Sequence, residues 1–377
     1  MKFYLNYNCF LEVLTARKSL TTRSSFNALN GNIDVVATEE DNCVSFKFTD
    51  LDNTVVLTYD MPKFALVLEG GRALVQFKDI VKTAQKCKWK DGEANYALFD
   101  GGCLTTSLGG RWQPKLGDIT EFPDLDPAPD KKRGAYTIVR AKDLVTAAVC
   151  ASKDEVRKDF TGVLVDETGG LCATDGHRLF HWDGARRECG DVAWSGIISR
   201  ATIALLGKLY DSNDMLTIEP TDDGRKVVIS TDSNRPVRVI AQLVNGQFPD
   251  FTKVVPKTLD NRRRIVNPGE LVKRLRLEAK AIAKTGAMLV RPDGEVIKVL
   301  PDNGGRLSIG TLFEPAERTE ASCVAVNINY LADAIQQLID ATGADTLVWE
   351  WVDEDMPTVL RAENTSTPTA VVMPMQW

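Results

Sequence analysis

The sequence predicts an α+β protein made of three similar domains, each with two helices on antiparallel sheets. The first observation is a repeated motif: Phe122-Pro123-Asp124 recurs as Phe248-Pro249-Asp250 after 126 residues (248 − 122). A third apolar residue before a proline, Met373-Pro374, follows after another 125 residues (373 − 248). The other two observations are amphipathic segments at matched positions and short β-branched runs between them. Because the chain has 377 residues, this repeat divides it into thirds.

Six segments are predicted to be amphipathic helices because their apolar residues recur at i, i+3 or i+4. One set begins each third: Phe10–Leu14, Leu144–Ala148 and Leu271–Leu275. A second set lies near the middle of each third: Phe77–Cys87, Ser199–Tyr210 and Asn327–Ile339. Ser199 and Asn327 are predicted N-caps, and Pro268 lies near a helix start, where its missing N–H is tolerated.

Short strands are predicted between the helices, where β-branched and aromatic runs are broken by Asp-Gly, Asn-Gly or Gly-Gly turns. Examples are Val55–Tyr59, Gly162–Val165, Lys226–Ser230 and Thr346–Trp349. The predicted domains are residues 1–126, 127–256 and 257–377. Three unrelated α+β domains are the alternative, and the matched helix positions favour a repeat over it.

The composition is typical of a soluble globular protein, with 44% hydrophobic and 26% charged residues. No apolar run approaches the ~20 residues needed to cross a bilayer. The start of the chain also lacks the long apolar stretch of a signal peptide. The eight cysteines include no C-x-x-C pair, as expected for buried thiols in a reducing compartment. We therefore expect a cytoplasmic protein with no membrane association, no zinc knuckle and no cofactor.

Positive charge is segregated along the sequence, although the formal net charge is −6. In the segment Phe77–Cys87, the lysines lie on the helix face opposite the apolar stripe. The helix that follows Pro268 repeats this pattern. Such faces would attract a phosphate backbone without reading base sequence. A merely solvated surface is the alternative, and Asn327–Ile339 departs from the pattern because it contains Asp333 and no lysine or arginine.

Three blocks of sequence carry a resemblance to a known family. The first is Arg157–Leu164, with the pattern R-x-x-F-x-G, followed by Ala173–Leu179, which reads A-T-D-G-H-R-L. The second is Gly246–Phe251, continuing to Val255-Pro256, and the third is Val371–Met375. In this order and at this spacing, the blocks resemble the beta subunit of bacterial DNA polymerase III, the sliding-clamp family.

The resemblance implies three clamp domains per subunit and a homodimer closed head to tail into a six-domain ring. Helices would line the hole and strands would form the outer wall. The implied function is a processivity factor without catalytic residues, located in the bacterial cytoplasm at the nucleoid. Its expected partners are double-stranded DNA bound without sequence preference, a DNA polymerase, the clamp loader and other proteins with clamp-binding motifs.

The resemblance also assigns residues to two surfaces. A cleft between domains two and three would take short peptide segments of partners. By matching position it comprises Arg157, Phe160, Thr174, Gly176, His177, Arg178, Leu179, Pro256, Asn327, Tyr330, Thr358, Val371, Val372, Met373, Pro374 and Met375. The residues expected to face DNA are Arg17, Lys18, Arg23, Lys78, Lys82, Lys86, Lys273, Arg276, Lys280 and Lys284. The family often ends Arg-Leu, whereas this chain ends Gln376-Trp377, which would reshape the cleft.

Two other functions compete with this interpretation. His177 and His181 with Asp175 nearby would suggest a metal site, but no third ligand has convincing spacing, so no metal is expected. The chain also lacks the phosphate-binding loops and nucleophile elbow of common enzymes. The second alternative is an interaction scaffold that keeps the clamp fold but does not encircle DNA.

Overall fold

The fold of the protein is described from a computed structural model. The described residues are 1–20, 31–76, 96–106, 109–122, 134–183, 186–231, 237–256, 259, 261–281, 288–293, 296–301, 307–309 and 324–375. Within these ranges the helices are α1 (Tyr7–Ser19), α2 (Ala141–Ala147), α3 (Arg200–Leu209), α4 (Pro268–Ala281) and α5 (Ile328–Thr342).

The strands are short, and all recorded pairings between them are antiparallel. They are β1 (Lys2–Asn6), β2 (Asn32–Thr38), β3 (Cys43–Thr49), β4 (Asn53–Tyr59), β5 (Ala65–Glu69), β6 (Gly71–Gln76), β7 (Tyr96–Asp100), β8 (Cys103–Thr106), β9 (Arg111–Trp112), β10 (Leu116–Gly117), β11 (Thr137–Arg140), β12 (Gly162–Val165), β13 (Leu171–Thr174), β14 (Arg178–Trp182), β15 (Arg186–Cys189), β16 (Gly196–Ser199), β17 (Met215–Pro220), β18 (Lys226–Thr231), β19 (Val237–Gln242), β20 (Asn261–Ile265), β21 (Met288–Asp293), β22 (Val296–Pro301), β23 (Leu307–Ile309), β24 (Val326–Asn327), β25 (Leu347–Trp351), β26 (Thr358–Ala362) and β27 (Thr369–Val372). Helices combined with antiparallel sheets confirm the predicted α+β class.

The first unit of the structure comprises Met1–Tyr136 and Ala204–Gln242. One of its sheets has the order β5-β1-β7-β8-β9, and in another β10-β6-β2-β3-β4-β19-β18-β17 lie side by side. Helix α1 packs on β1, β4 and β7. In the core between them, Phe3 stacks on Phe99 with ring centroids 5.3 Å apart.

The second unit comprises Thr137–Ile203 and Leu243–Trp377, so the boundary between units falls within α3 along the chain. Its main sheet has eight strands in the order β16-β12-β13-β14-β27-β26-β25-β20. A smaller sheet has the order β23-β22-β21-β24, and β11 pairs with β15. Helices α4 and α5 pack on each other, and α5 also packs on β26 and β27. The division into three domains of equal length stays a prediction.

The helix ends follow the capping chemistry of the sequence. Ser199 Oγ accepts a hydrogen bond from the Thr202 N–H at 3.0 Å, and Asn327 Oδ1 accepts from the Asn329 and Tyr330 N–H groups. Pro268 is the first residue of α4. The predicted caps are therefore confirmed, and five of the six predicted helices are present. The sixth, Phe77–Cys87, lies outside the described residues.

No helix within the described ranges has the length and apolar character that crossing a membrane requires.

Candidate functional site

A groove of about 190 Å³ opens in the second unit beside the main sheet. The side chains around it are mostly apolar, with one cationic residue. Its lining residues are Phe160, Thr174, Gly176, Arg178, Leu179, Pro249, Phe251, Val254, Val371 and Met373. Apolar walls with few polar groups are typical of ligand sites in proteins. The groove is therefore the candidate binding site of this unit.

The floor of the groove is formed by the three neighbouring strands β13, β14 and β27. Thr174 at the end of β13 lies opposite Leu179 of β14, and Leu179 in turn lies opposite Val371 of β27. Leu179 and Val371 are 3% and 1% exposed and share a hydrophobic cluster with Cys172 and Val359. Residues that are far apart in sequence thus form one continuous apolar surface.

A tight turn between β13 and β14 shapes one rim. The Thr174 hydroxyl donates to the Arg178 carbonyl at 2.7 Å and accepts from the Gly176 N–H at 3.1 Å. Asp175 Oδ1 accepts from the His177 and Arg178 N–H groups at 3.0 and 3.1 Å. Gly176 has a φ angle of +88°, a backbone conformation that residues other than glycine rarely adopt. This explains the T-D-G-H-R order of the motif, since each residue satisfies part of the turn.

The backbone beyond β27 forms the opposite rim. The Met373 N–H donates to the His177 carbonyl at 2.9 Å, which fixes Met373 beside the turn. The Met375 N–H donates to the Ala325 carbonyl at 2.7 Å, just before β24. A methionine held in this way gives the groove a wall that is polarizable and adaptable.

The segment Phe248–Val255, part of the second block of the family resemblance, forms a third wall. Phe248, Phe251 and Val255 pack against the cluster that contains Leu179. Asp250 Oδ1 accepts from the Thr252 N–H at 3.2 Å and caps a short 3-10 helix, Phe251–Lys253. The lining residues missed by the sequence reasoning are Pro249, Phe251 and Val254. The sequence signal for these residues was the second Phe-Pro-Asp motif. The apolar residues of that motif follow no helix or strand periodicity, so the sequence did not indicate that they line a groove.

Arg178, the cationic residue of the groove, is held by an ion-pair network. Its Nε donates to Asp175 Oδ2 at 3.0 Å, its Nη1 to Asp333 of α5, and its Nη2 to the Val149 carbonyl at 3.1 Å. Burial lowers the pKa of its guanidinium, but Cys150, Asp333 and Asp175 together outweigh burial and raise it. On the other side of Asp333, Oδ1 accepts from Arg276 of α4 at 3.0 Å.

Two aromatic contacts flank this network. The Tyr330 ring lies under the Arg178 guanidinium, with Cζ 4.7 Å from its centroid, and stacks on His177 at 6.1 Å. Burial, with the charge of Asp175, raises the pKa of Tyr330. The Tyr330 hydroxyl is therefore a neutral group next to the ion pairs.

Helix α5 is fixed behind the groove by a buried polar pair. The Cys150 thiol donates to Gln337 Oε1 at 3.2 Å, and Gln337 Nε2 donates to the Thr146 carbonyl at 2.8 Å. Burial raises the pKa of the Cys150 thiol to about 12. The thiol is therefore a stable hydrogen-bond donor at neutral pH and holds α5 against the segment after α2.

Seven of the sixteen predicted cleft residues line the groove, and the others lie around it or behind it. Thr358 and Val372 are paired in the sheet and fully buried, so they support the wall without reaching its surface. Arg157 is exposed and approaches Gly176: a Cβ at Gly176 would lie 3.3 Å from Arg157 Nη1. The remaining predicted residues are outside the lining and half-buried or exposed: Pro256, His177, Asn327, Tyr330, Pro374 and Met375.

His177, His181 and Asp175, the residues of the alternative metal site, do not form one cluster of possible metal ligands. His177 stacks on Tyr330, whereas His181 packs on Phe251 with centroids 4.5 Å apart. Among the described residues, the group within metal-ligand distances is Asp166, His181 and Asp183, without His177 or Asp175. His181 Nε2 already pairs with Asp183 at 2.8 Å, and Asp166 Oδ1 accepts three turn hydrogen bonds.

The predicted DNA-facing residues divide into three groups. Lys273, Arg276 and Lys280 are exposed on α4, opposite the buried Leu271 and Leu275, and Lys18 is exposed on α1. Arg17 contradicts the prediction, because it is only 5% exposed and packs into the first unit with the apolar face of α1. The predicted residues outside the described ranges are Arg23, Lys78, Lys82, Lys86 and Lys284.

Comparison of the sequence with known proteins gives whole-chain matches. No protein-family profile matches the chain. Curated proteins named beta sliding clamp from Staphylococcus aureus strains Mu50 and MW2 are each 22% identical over 394 residues, covering 100% of this chain and 99% of the relative. The predicted resemblance to the beta sliding clamps is therefore confirmed along the full length of the chain.

Solved structures give the same result for the fold. A DNA polymerase sliding clamp from Bacillus subtilis has a TM-score of 0.81 and 19% identity, covering 100% of this chain and 99% of that one. The DNA polymerase III beta subunit from Thermotoga maritima has a TM-score of 0.76 and 19% identity, with the same coverage. A sliding clamp from Bartonella birtlesii bound to griselimycin has a TM-score of 0.80 and 20% identity, covering 100% of both chains. The chain thus has the fold of the bacterial sliding clamps.

Proposed function

We propose that the chain is a DNA polymerase processivity factor: a sliding clamp that encircles duplex DNA and tethers a polymerase to it. The observation that carries the proposal is the match to sliding clamps over the whole chain, in both sequence and fold. Its role is that of a non-catalytic accessory subunit of a DNA polymerase holoenzyme. It requires no cofactor and acts in the bacterial cytoplasm, where it also meets a clamp loader.

The proposed assembly is a homodimer of three-domain subunits, closed into a six-domain ring. Topological enclosure needs only weak phosphate contacts, which still permit sliding. The exposed face of α4, with Lys273, Arg276 and Lys280, would supply such contacts. The groove between Leu179, Phe251 and Met373 would bind short segments of the polymerase and of other partners.

Retention on DNA tests the ring. The protein is loaded by its clamp loader onto nicked circular plasmid, and retention is compared before and after the plasmid is linearised. A ring stays on the circle and slides off the linear ends. Equal retention on both forms would overturn encirclement, whatever the affinity for DNA.

Truncation tests the groove. We expect deletion of residues 373–377 to abolish polymerase binding, because Met373 forms one wall. The dimer should remain, since β27 ends at Val372 and keeps its pairing with β14. The matched control deletes only residues 376–377 and retains the bonds of Met373 and Met375. Equal polymerase binding by the longer truncation would show that the groove is not the partner site.

A clamp-fold scaffold that does not encircle DNA is the second candidate. It is favoured by Asp333, which pairs with Arg276 and reduces the positive field of α4 at that point. The net charge of −6 agrees with it as well. Partner binding that survives together with equal retention on circular and linear DNA would establish this alternative.

A further inference from the structure

Most of the hydrogen-bonding capacity of Arg178, the cationic residue of the groove, is used within the protein. Each of the three guanidinium nitrogens of Arg178 donates to a group of the protein itself: Asp175, Asp333 and the Val149 carbonyl. The ring of Tyr330 covers one face of the guanidinium. Of the five N–H groups of a guanidinium, only two, one on each terminal nitrogen, remain for an incoming carboxylate.

The charge of Arg178 is also balanced locally. Two carboxylates, Asp175 and Asp333, pair with it, and the second also pairs with Arg276. The two cations and two anions sum to zero within one network. The side chain of Arg178 is 12% exposed and that of Asp333 is 23% exposed, so solvent screens the pair only partly. A ligand in the groove therefore meets a polar but neutral wall at this point.

We infer that Asp333 determines the charge selectivity of the groove by occupying Arg178, so that the groove accepts apolar segments without favouring acidic ones. This inference rests on the proposed peptide-binding function. It makes Asp333 a positioning residue, since it lies behind Arg178 and acts on a ligand only through it. Removing its charge while keeping its shape would leave the network of Arg178, Arg276 and Asp175 with one net positive charge beside the groove.

The experiment uses the full chain and two fluorescein-labelled peptides. Both have the sequence of one short polymerase segment with apolar anchor residues, and they differ only in carrying Asp or Asn at one position between these anchors. Their affinities are measured by fluorescence anisotropy for the wild type and for Asp333→Asn. We expect the ratio of the affinities for the Asp and Asn peptides to rise about tenfold in Asp333→Asn. A tenfold change is the effect expected from one additional charge-assisted hydrogen bond.

Three variants control the result. Asp333→Glu keeps the negative charge but changes the shape of the side chain. It should keep the wild-type affinity ratio, whereas a role of the shape alone would predict a changed ratio. Asp340→Asn removes a carboxylate from the same helix, one that accepts from Gln336 at 3.0 Å, and should also keep it. If Asp333→Asn loses its native circular dichroism, Asp333→Ala replaces it in the same measurement.

The possible outcomes are distinct. An unchanged Asp/Asn ratio in a folded variant that binds both peptides overturns the inference and leaves the proposed function standing. Failure of the wild type to bind either peptide overturns the proposed function, and the inference with it. A raised ratio that Asp333→Glu restores supports both.

Discussion

At the scale of single residues, Gly162 shows why the R-x-x-F-x-G motif ends in glycine. It opens β12 and lies opposite Ser199 of β16. A Cβ at this position would lie 2.3 Å from the Ile198 carbonyl oxygen and 2.7 Å from Ile197 Cγ2. The nearer atom belongs to the backbone of the paired strand, so it cannot move aside without disturbing the sheet.

We expect Gly162→Ala to lower the free energy of unfolding by about 1–3 kcal/mol, the range of overpacking in a tight core. Chemical denaturation measures the change. Gly269→Ala is the matched control, because nothing lies within 4 Å of its added Cβ. In the first turn of α4 that substitution should be neutral or stabilise by up to about 1 kcal/mol. Equal stabilities of the two variants would contradict the steric explanation.

Cys150 predicts a loss of stability in alkali. Burial raises its thiol pKa from 9.0 to about 12 in the folded protein. The stabilisation is complete below the unfolded pKa and is lost as the pH rises from there towards the folded value. Between pH 8 and pH 10 the wild type should lose about 1 kcal/mol more unfolding free energy than Cys150→Ala. Parallel pH dependences of the two proteins would show that this thiol does not contribute.

Single residues also mark where sequence reasoning fails. Lys18 and Arg17 are neighbours at the end of α1, yet Lys18 is exposed and Arg17 is buried. The charge pattern treats them alike, because burial depends on what packs against the helix and not on the local sequence. The family resemblance places Thr358 in the cleft by its position in the sequence. Its burial depends on β26 lying between β25 and β27, which the sequence does not reveal.

At the scale of elements, local patterns predicted the helices well. The segment Ser199–Tyr210 contains α3 at Arg200–Leu209, and Asn327–Ile339 overlaps α5 at Ile328–Thr342. Caps and apolar spacing are local signals, so they suffice for a helix. The wall of the groove at Phe251 is different, because it forms only through packing on β14 and β27, which local patterns cannot reveal.

The exposed face of α4 carries a prediction about salt. If Lys273 contacts a phosphate, Lys273→Gln should weaken binding to duplex DNA and reduce the slope of log affinity against log salt by about 0.9. Fluorescence anisotropy with a labelled duplex at several salt concentrations measures the slope. Lys63→Gln changes the net charge equally at an exposed lysine outside the predicted DNA-facing set. If both variants change the slope alike, the effect is one of overall charge and not of this helix.

At the scale of the whole molecule, the proposed ring requires two subunits. A single chain has a mass of 41.6 kDa, and we expect light scattering on a sizing column to give twice that mass across a dilution series. The physical reason is that the ring must stay closed for as long as it is on DNA, and this requires a stable interface between the subunits. A monomer at micromolar concentration would mean either an interface that closes only with help from the loader or DNA, or a clamp-fold protein with another function.

The pairing of β14 with β27 has a consequence for how the protein is made. Arg178 and Leu179 are synthesised before their strand partners Val372 and Val371, which follow 192 residues or more later along the chain (371 − 179). Until then β14 has an open edge, and an unpaired apolar strand edge is prone to wrong association. The groove has no second rim before Met373 has been added. A nascent chain that has not reached Met373 therefore cannot recruit partners at this site.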